Sequence, residues 1–467
     1  MMEDVFTQSA KKIAQSIAKK DISSTELVSA CIQRIEYINP KINAVVQFRP
    51  EQALQEAQEK DAMLTKGQVM GPLHGIPFTL KDVYNTQGDC VTAGCLGLKN
   101  NVATEDATIV KRLKQAGAIL LGKSNTPELE CAADTDNLVY GLTSNPYHVD
   151  YSCGGSSGGS AAVVSACGSV FDVGADAGGS LRIPAHYCGI TTIRPTMGRI
   201  PTSGTVYGLR TGIGARFCAE GPLSRYVEDL PLLLSILQGP DGIDPNIVDS
   251  PLKTHHDVSL SKLNIAYFNN NTIIGTTEET KMAIQSACDV LTEYGCHVCN
   301  DKPYNLEKGC TLFQEVLGAH ASQGFKDALK QMNVKNTSSL LEKIIVHLES
   351  FACSLPEFMN RLDRWDVYRS KVLQFFNKYD VLISPVTPGA ALHHNTPMWN
   401  PEMIKHASYS WSITGTLLPV VVVRAGYTKE GLPIGIQIIT RHFEEHIGIA
   451  VALQIEKHLG GWRMPNL

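Results

Sequence analysis

At 467 residues the chain is long enough for about three average domains or for one large α/β body. It is 43% hydrophobic and 19% charged with a net charge of −5, the balance of a soluble globular protein. That balance gives no electrostatic ground for binding nucleic acid or an anionic membrane, so neither is an expected partner. No window approaches the roughly 18 apolar residues of a membrane span, and Met1-Met-Glu-Asp-Val-Phe6 lacks the basic and apolar stretches of a secretory signal. The 13 cysteines are odd in number and scattered singly in apolar settings, as at Cys31, Cys131, Cys167 and Cys288. This predicts reduced thiols and a cytoplasmic location.

Residues 1–65 read as helices. Ile13 and Ile17 lie one turn apart, and Ser23 with Glu26 forms a capping box ahead of Leu27, Val28, Cys31, Ile32 and Ile35. Asn39-Pro40 is expected to end that helix, and a further one runs from Pro50 to about Leu64. Gly71 to Val83 is an apolar, β-like run that ends on Lys81. A helix over about 106–116 precedes Gly117-Ala-Ile-Leu-Leu-Gly122-Lys123-Ser124, which fits the P-loop pattern. A P-loop needs a strand before its first glycine, whereas here a helix precedes and Ala118 to Leu121 is itself the strand, so nucleotide binding is rejected.

Further along, 225–239 suits a helix, Leu263 to Phe268 a strand, and Thr277 to about Tyr294 a helix. Val381 to Pro385 reads as a short buried strand, and Val420 to Val423 with Ile434 to Ile439 as a hairpin. A last helix spans about Glu444 to His458. Strands alternating with helices, and no repeat period, make the class α/β. Cys296-His-Val-Cys299 has no second pair at zinc spacing, and His442-Phe-Glu-Glu445-His446 fits an inverted zinc-protease pattern only at a strand-to-helix junction. Neither is read as a metal site. His255-His256 and His393-His394 are read as solvated loop residues.

Chemistry concentrates in Ser152-Cys-Gly-Gly-Ser156-Ser157-Gly-Gly-Ser160 and Ala175-Asp176-Ala177-Gly178-Gly179-Ser180-Leu181-Arg182. Such glycine density is unfavourable for folding entropy and suits close backbone approach. Apolar segments, Ala161 to Cys167 and Ser169 to Val173, alternate with it, which a flexible linker does not do. A serine nucleophile needs a base and oxyanion donors, and the base is either a histidine or a neutral lysine.

These residues resemble the amidase-signature family of hydrolases. The resemblance lies in Gly154-Gly-Ser-Ser-Gly-Gly-Ser-Ala-Ala162, Asp176-Ala-Gly-Gly-Ser-Leu-Arg182, Pro184-Ala185, Cys188-Gly189, Arg194-Pro195-Thr196 and Gly198-Arg199. Gly75-Ile-Pro-Phe-Thr-Leu-Lys-Asp82, Gly117 to Pro127, Gly431-Leu-Pro-Ile-Gly-Ile-Gln437 and Gly461-Trp462 extend it over about residues 10–462, weakly over 240–375. It implies one large α/β domain with a central mixed, twisted sheet covered by helices on both faces. Within it fall a helical segment at 1–70, a signature core at 71–225 and a variable substrate-pocket region at about 300–400.

The resemblance further implies a Ser180 nucleophile, Ser156 as relay with a cis peptide bond before it, and Lys81 as base. Ala177, Gly178, Gly179 and Ser180 would supply the oxyanion hole, with Ser157, Asp176 and Arg182 as supports. Lys81 must be neutral to accept a proton. The sequence departs from the family at Ala175 and Ala177, where hydroxyl residues are usual, and at Cys153, where proline is common.

Three activities follow. The first is an amidase that cleaves linear carboxamides through an acyl-enzyme, needs no metal or organic cofactor, and works on a small molecule as a monomer or homodimer. The second is the glutamine-hydrolysing component of a tRNA-dependent amidotransferase, although its glutamine-holding arginine and aspartate do not align near Arg361 and Ala407. The third is an α/β-hydrolase esterase built on Gly154-x-Ser156-x-Gly158, which requires a strand immediately before the serine and a histidine base; Asp150 to Cys153 makes a poor strand. Phe313, Phe325, Phe351, Trp365 and Trp399 are read as core rather than as an acyl pocket.

Overall fold

The computed structural model describes residues 5–394, 396 and 401–467. The runs expected as strands assemble into one mixed sheet together with strands the sequence reading leaves unassigned, among them Val45–Phe48, Phe171–Asp176, Thr191–Arg194 and Ala219–Ser224. Its order is Val45–Phe48, Ile119–Ser124, Pro77–Lys81, Phe171–Asp176, Ala219–Ser224, Thr191–Arg194, Val420–Tyr427, Pro433–Ile439, Val381–Pro385, Asn264–Tyr267 and His297–Asn300. Pro77–Lys81 lies parallel to both neighbours, and Phe171–Asp176 pairs antiparallel with Ala219–Ser224. These strands are buried along their whole length. Helices flank the sheet, which is why its strands read as continuous apolar runs rather than alternating ones. The result is a single large α/β domain.

Local sequence explains the helix starts. Ser23 Oγ accepts the Glu26 N–H at 3.0 Å while Glu26 Oε2 accepts the Ser23 N–H at 2.8 Å, the capping box expected before Ser24–Ile42. That helix does not stop at Asn39-Pro40. Pro40 sits in its last turn, and the Asn39 side chain accepts the N–H groups of Ala44 and Val45, carrying the chain directly into a strand. The second helix covers Pro50–Thr65 with the proline at its first position.

The P-loop look-alike is the buried strand Ile119–Ser124. A Cβ on Gly122 would lie 2.2 Å from the Gln47 carbonyl oxygen, so this glycine serves strand pairing, and Lys123 Nζ donates to the Tyr84 carbonyl. Cys299 lies within the strand His297–Asn300, next to Cys296, and both are free thiols. Glu445 opens the helix Glu445–Leu459 and holds Arg199 through both oxygens at 2.8 and 2.9 Å. It is therefore an ion-pair partner of Arg199.

Two further expectations need correction. His394 is not solvated: its Nδ1 lies 3.2 Å from Asp134 Oδ2, whereas His393 is exposed as expected, its ring tilted against that of Tyr151. Asp134 in turn accepts from Ser152 Oγ at 2.6 Å, so an imidazole reaches the entrance of the Gly/Ser loop. Second, His148–Ser152 does form a strand, paired with Ser144–Asn145 in a separate small sheet. Ser156 follows it only after Cys153, Gly154 and Gly155, so no strand runs directly into the serine as an elbow requires.

Phe313 and Trp365 are core, as expected, with the Trp365 indole N–H donating to the Gly415 carbonyl at 2.8 Å. Phe325 and Phe351 are half-buried. Trp399 lies outside the described residues.

Candidate active site

Lys81 ends its strand fully buried, and its Nζ donates to Ser156 Oγ at 2.7 Å. The peptide bond from Gly155 to Ser156 is cis. Ser157 follows as the residue before the helix Gly158–Ser165. Glycines are obligatory in this stretch, because a Cβ on Gly159 would sit 2.3 Å from the Asn125 nitrogen and one on Gly155 2.5 Å from the Ala132 oxygen. A Gly174 Cβ would likewise meet Ser157 Oγ at 2.5 Å, so the strand and the serine loop close on each other only without side chains.

The second segment leaves the strand Phe171–Asp176 and turns into the helix Arg182–Tyr187. Ser180 lies in that turn, half-exposed, and its carbonyl accepts the Ser157 N–H at 3.1 Å. The two loops are thus tied by backbone. Among the described residues no hydrogen bond joins the hydroxyls of Ser156 and Ser180 directly. Lys81 and Ser156 are in contact and buried, and Ser180 lies partly buried in the adjoining turn.

Asp176 organises the turn. Its Oδ1 accepts from the Gly179 N–H at 2.8 Å and its Oδ2 from the Leu181 N–H at 3.1 Å. Arg182 clamps the same carboxylate through Nε at 2.9 Å and Nη2 at 3.1 Å, and Arg194 Nε lies 3.5 Å away. Arg182 also donates to the Ser410 carbonyl, Gln437 Oε1 and Thr414 Oγ1, which satisfies the guanidinium in full burial. Burial would raise the Asp176 carboxyl, but the Arg182 and Arg194 cations and the Gly179 N–H hold it well below the usual carboxylate range. The expected Asp176 to Arg182 ion pair is present.

This geometry sorts the four backbone donors. The Gly179 N–H is taken up by Asp176, whereas those of Ala177, Gly178 and Ser180 have no acceptor among the described residues. Gly178 is itself fixed from the other side, where the Trp411 indole N–H donates to its carbonyl at 2.9 Å. Phe313 also reaches this loop: a Cβ on Gly178 would lie 3.3 Å from its ring. Core and site meet in that side chain.

Sequence reading misses Glu130. Its Oε1 is 2.9 Å from Lys81 Nζ and its Oε2 pairs with Arg210. Burial works to raise its carboxyl, yet the Arg210 and Lys81 cations bring it down to about 2. The residue lies just beyond Pro127, where that stretch of the family resemblance ends, and nothing in its spacing marks it. His186, the histidine nearest the signature, is not placed as a base. Its Nε2 contacts the Gly389 carbonyl at 2.9 Å, its Nδ1 accepts the Gly435 N–H, and burial lowers it to about 4.

A sequence model of the amidase family matches residues 26–447. An acylamidase of Rhodococcus erythropolis is 32% identical, covering 96% of this chain and 94% of that protein. The A component of a glutamyl-tRNA(Gln) amidotransferase of Heliobacterium modesticaldum is 29% identical over 99% of both. Among solved structures, that of a 6-aminohexanoate cyclic dimer hydrolase with substrate superposes with a TM-score of 0.87 at 26% identity, covering 99% of each chain. No described helix is long and apolar enough to cross a membrane. A match across nine-tenths of the sequence, carried on this fold, places the chain in the amidase family, the amidase-signature hydrolases, as a hydrolase of amide C–N bonds.

Proposed function

We propose that the chain hydrolyses linear carboxamides with Ser180 as nucleophile, Ser156 as proton relay and Lys81 as general base. The observation that carries this reading is the buried contact of Lys81 Nζ with Ser156 Oγ at 2.7 Å, beside the turn of Ser180, whose carbonyl accepts the Ser157 N–H. His186, the histidine nearest the signature, offers no competing base, since both its nitrogens are engaged.

With Lys81 neutral, Ser180 Oγ attacks the carbonyl carbon and its proton passes through Ser156 Oγ to Lys81 Nζ. Negative charge develops on the carbonyl oxygen, which the free N–H groups of Ala177, Gly178 and Ser180 stabilise. Collapse breaks the C–N bond, and the same proton returns to the departing nitrogen, releasing ammonia or an amine. Water then attacks the acyl-serine with the roles reversed. Ser157, Asp176 and Arg182 hold the two loops in register. No step calls on a metal or an organic cofactor.

The amidotransferase reading is kept open by near-complete overlap with a protein of that kind. Against it, Arg361 is engaged, donating to the Glu315 and Phe351 carbonyls at 2.9 and 2.6 Å, and a buried alanine stands at 407. The amidase reading has the chain acting alone, as a monomer or homodimer, in the cytoplasm. Its 13 cysteines, all free, support a reducing compartment.

The test is amide turnover across aryl, indolyl, fatty-acyl and cyclic amides, with glutamine alongside and Lys81→Ala and Ser180→Ala as comparisons. Loss of a positioned base or nucleophile removes at least about 10²–10⁴-fold in rate. Near-normal turnover in either folded variant sinks the triad. Turnover of glutamine alone reverses the choice between the two readings.

A further inference from the structure

Beyond the triad lies an alternating row of charges that the reaction as written does not use. Lys81 meets Glu130 at 2.9 Å, Glu130 meets Arg210, and Arg210 Nε lies 3.5 Å from Glu220, whose other oxygen accepts the Tyr84 hydroxyl. The Arg210 guanidinium also rests on the Tyr207 ring, 4.9 Å from its centroid. We propose that Glu130 is a positioning residue for Lys81: it holds the lysine against Ser156 and, in balance with Arg210, sets the pH at which the lysine becomes available as a base. This rests on the catalytic reading above.

Three observations carry it. First, Glu130 is an acceptor for Lys81 in addition to Ser156, so the two acceptors together fix the direction of Nζ. A four-carbon side chain with a single acceptor would keep more freedom. Second, Leu129 and Glu130 both adopt left-handed backbone, with φ of 51° and 60°. Non-glycine residues enter that region at an energetic cost and persist there only when the surroundings enforce it. Here the left-handed turn delivers one carboxylate to a buried lysine.

Third, the groups facing this pair do not substitute for Glu130. Burial raises Glu220 to about 7 against the pull of Arg210, and burial raises Asp172 to about 6. Burial also raises the thiol of Cys218 to about 12, and that of Cys131 likewise, and lifts the hydroxyls of Tyr84 and Tyr207. Of these carboxylates it is Glu130 that touches Lys81 Nζ, at 2.9 Å, and its two cations bring it down to about 2. It is too acidic to take a proton in the reaction itself. It acts as a fixed charge.

The test must not depend on knowing the acyl group. An alkyl fluorophosphonate meets that need: Ser180 Oγ displaces fluoride at phosphorus, and the rate against pH reports when the base becomes available. Glu130→Gln preserves size and an acceptor but removes the charge, so the acid limb should move to lower pH by about one unit or more. Arg210→Met leaves Glu130 to Lys81 alone, and the limb should move to higher pH. Glu130→Ala, which also loses the acceptor, should react about tenfold or more slowly at its plateau than Glu130→Gln, a loss of orientation.

An acid limb unmoved in Glu130→Gln, or displaced in the same direction by both charge changes, overturns the proposal. If one of these variants fails to fold, the sign of the other still decides. Lys81→Ala separates this inference from the one beneath it. Wild-type labelling in Lys81→Ala refutes the lysine base altogether, whereas an inert Lys81→Ala beside an unshifted Glu130→Gln refutes only the role of Glu130.

Discussion

Replacing Asp176 by asparagine tests whether the nucleophile turn is held electrostatically. Asp176 accepts from Gly179 and Leu181 and from two nitrogens of Arg182, all between 2.8 and 3.1 Å, with Arg194 at 3.5 Å. Asparagine keeps one acceptor oxygen and turns the other position into a donor facing other donors. It also leaves Arg182 and Arg194 as buried cations without their counter-charge. Breaking a buried pair from one side costs about 3–5 kcal/mol, far more than the pair is worth against an apolar replacement. The expected loss is therefore about 4 kcal/mol, read as a lower urea midpoint at unchanged m. Because the folded carboxyl is held below its unfolded value near about 3.9, this contribution is fully present above that pH and fades only as acid is added below it. Fluorophosphonate labelling of Ser180 should fall about 100-fold as the turn loosens. A stability loss under about 1 kcal/mol together with wild-type labelling would refute the argument that this ion pair braces the turn.

Gly179 has φ of 107°, and a Cβ there would lie 2.8 Å from Ile183 Cδ1. Gly179→Ala should cost about 1–3 kcal/mol and slow Ser180 labelling, and a variant with wild-type rate would show that the turn tolerates another conformation. His186 is neutral in the fold and lowered to about 4 by burial, so its stabilising contribution is complete above about pH 6.5 and is lost as pH falls towards 4. His186→Gln should flatten that acid loss, worth roughly 3 kcal/mol, while keeping turnover at neutral pH. An inactive but folded His186→Gln would revive a histidine base.

The legible parts of the sequence are those where chemistry leaves a local trace. Glycine and serine at fixed intervals mark the two loops because backbone packs against backbone there, so that a Cβ on Gly159 would lie only 2.3 Å from the Asn125 nitrogen. The apolar run before Lys81 marks a buried strand, and Ser23 with Glu26 marks a helix start. What escapes is set by distant partners. Glu130 reads as an ordinary acidic residue after a proline, and only the fold brings Arg210 and Lys81 to its two oxygens. His394 reads as a loop histidine, and only the return of the chain from 390 to the 150 region gives it Asp134. Helix ends fail for a related reason, since Pro40 is read through its own restrictions while the Asn39 side chain sets the boundary.

That division bears on how the site is built. The serine loops are specified locally, by residues that fit no other side chain, and they fix where a nucleophile can stand. The environment of Lys81 is specified non-locally, by a strand end, a left-handed turn at 129–130 and the loop carrying Arg210. Position and proton affinity are therefore governed by separate parts of the chain. Substitutions around Arg210 can move the pH range of the enzyme without touching the residues that bind the reacting carbonyl. Changes within 154–159 or 176–182 act on position as well, because Ser156 touches Lys81 and the Asp176 carboxylate holds the turn that carries Ser180.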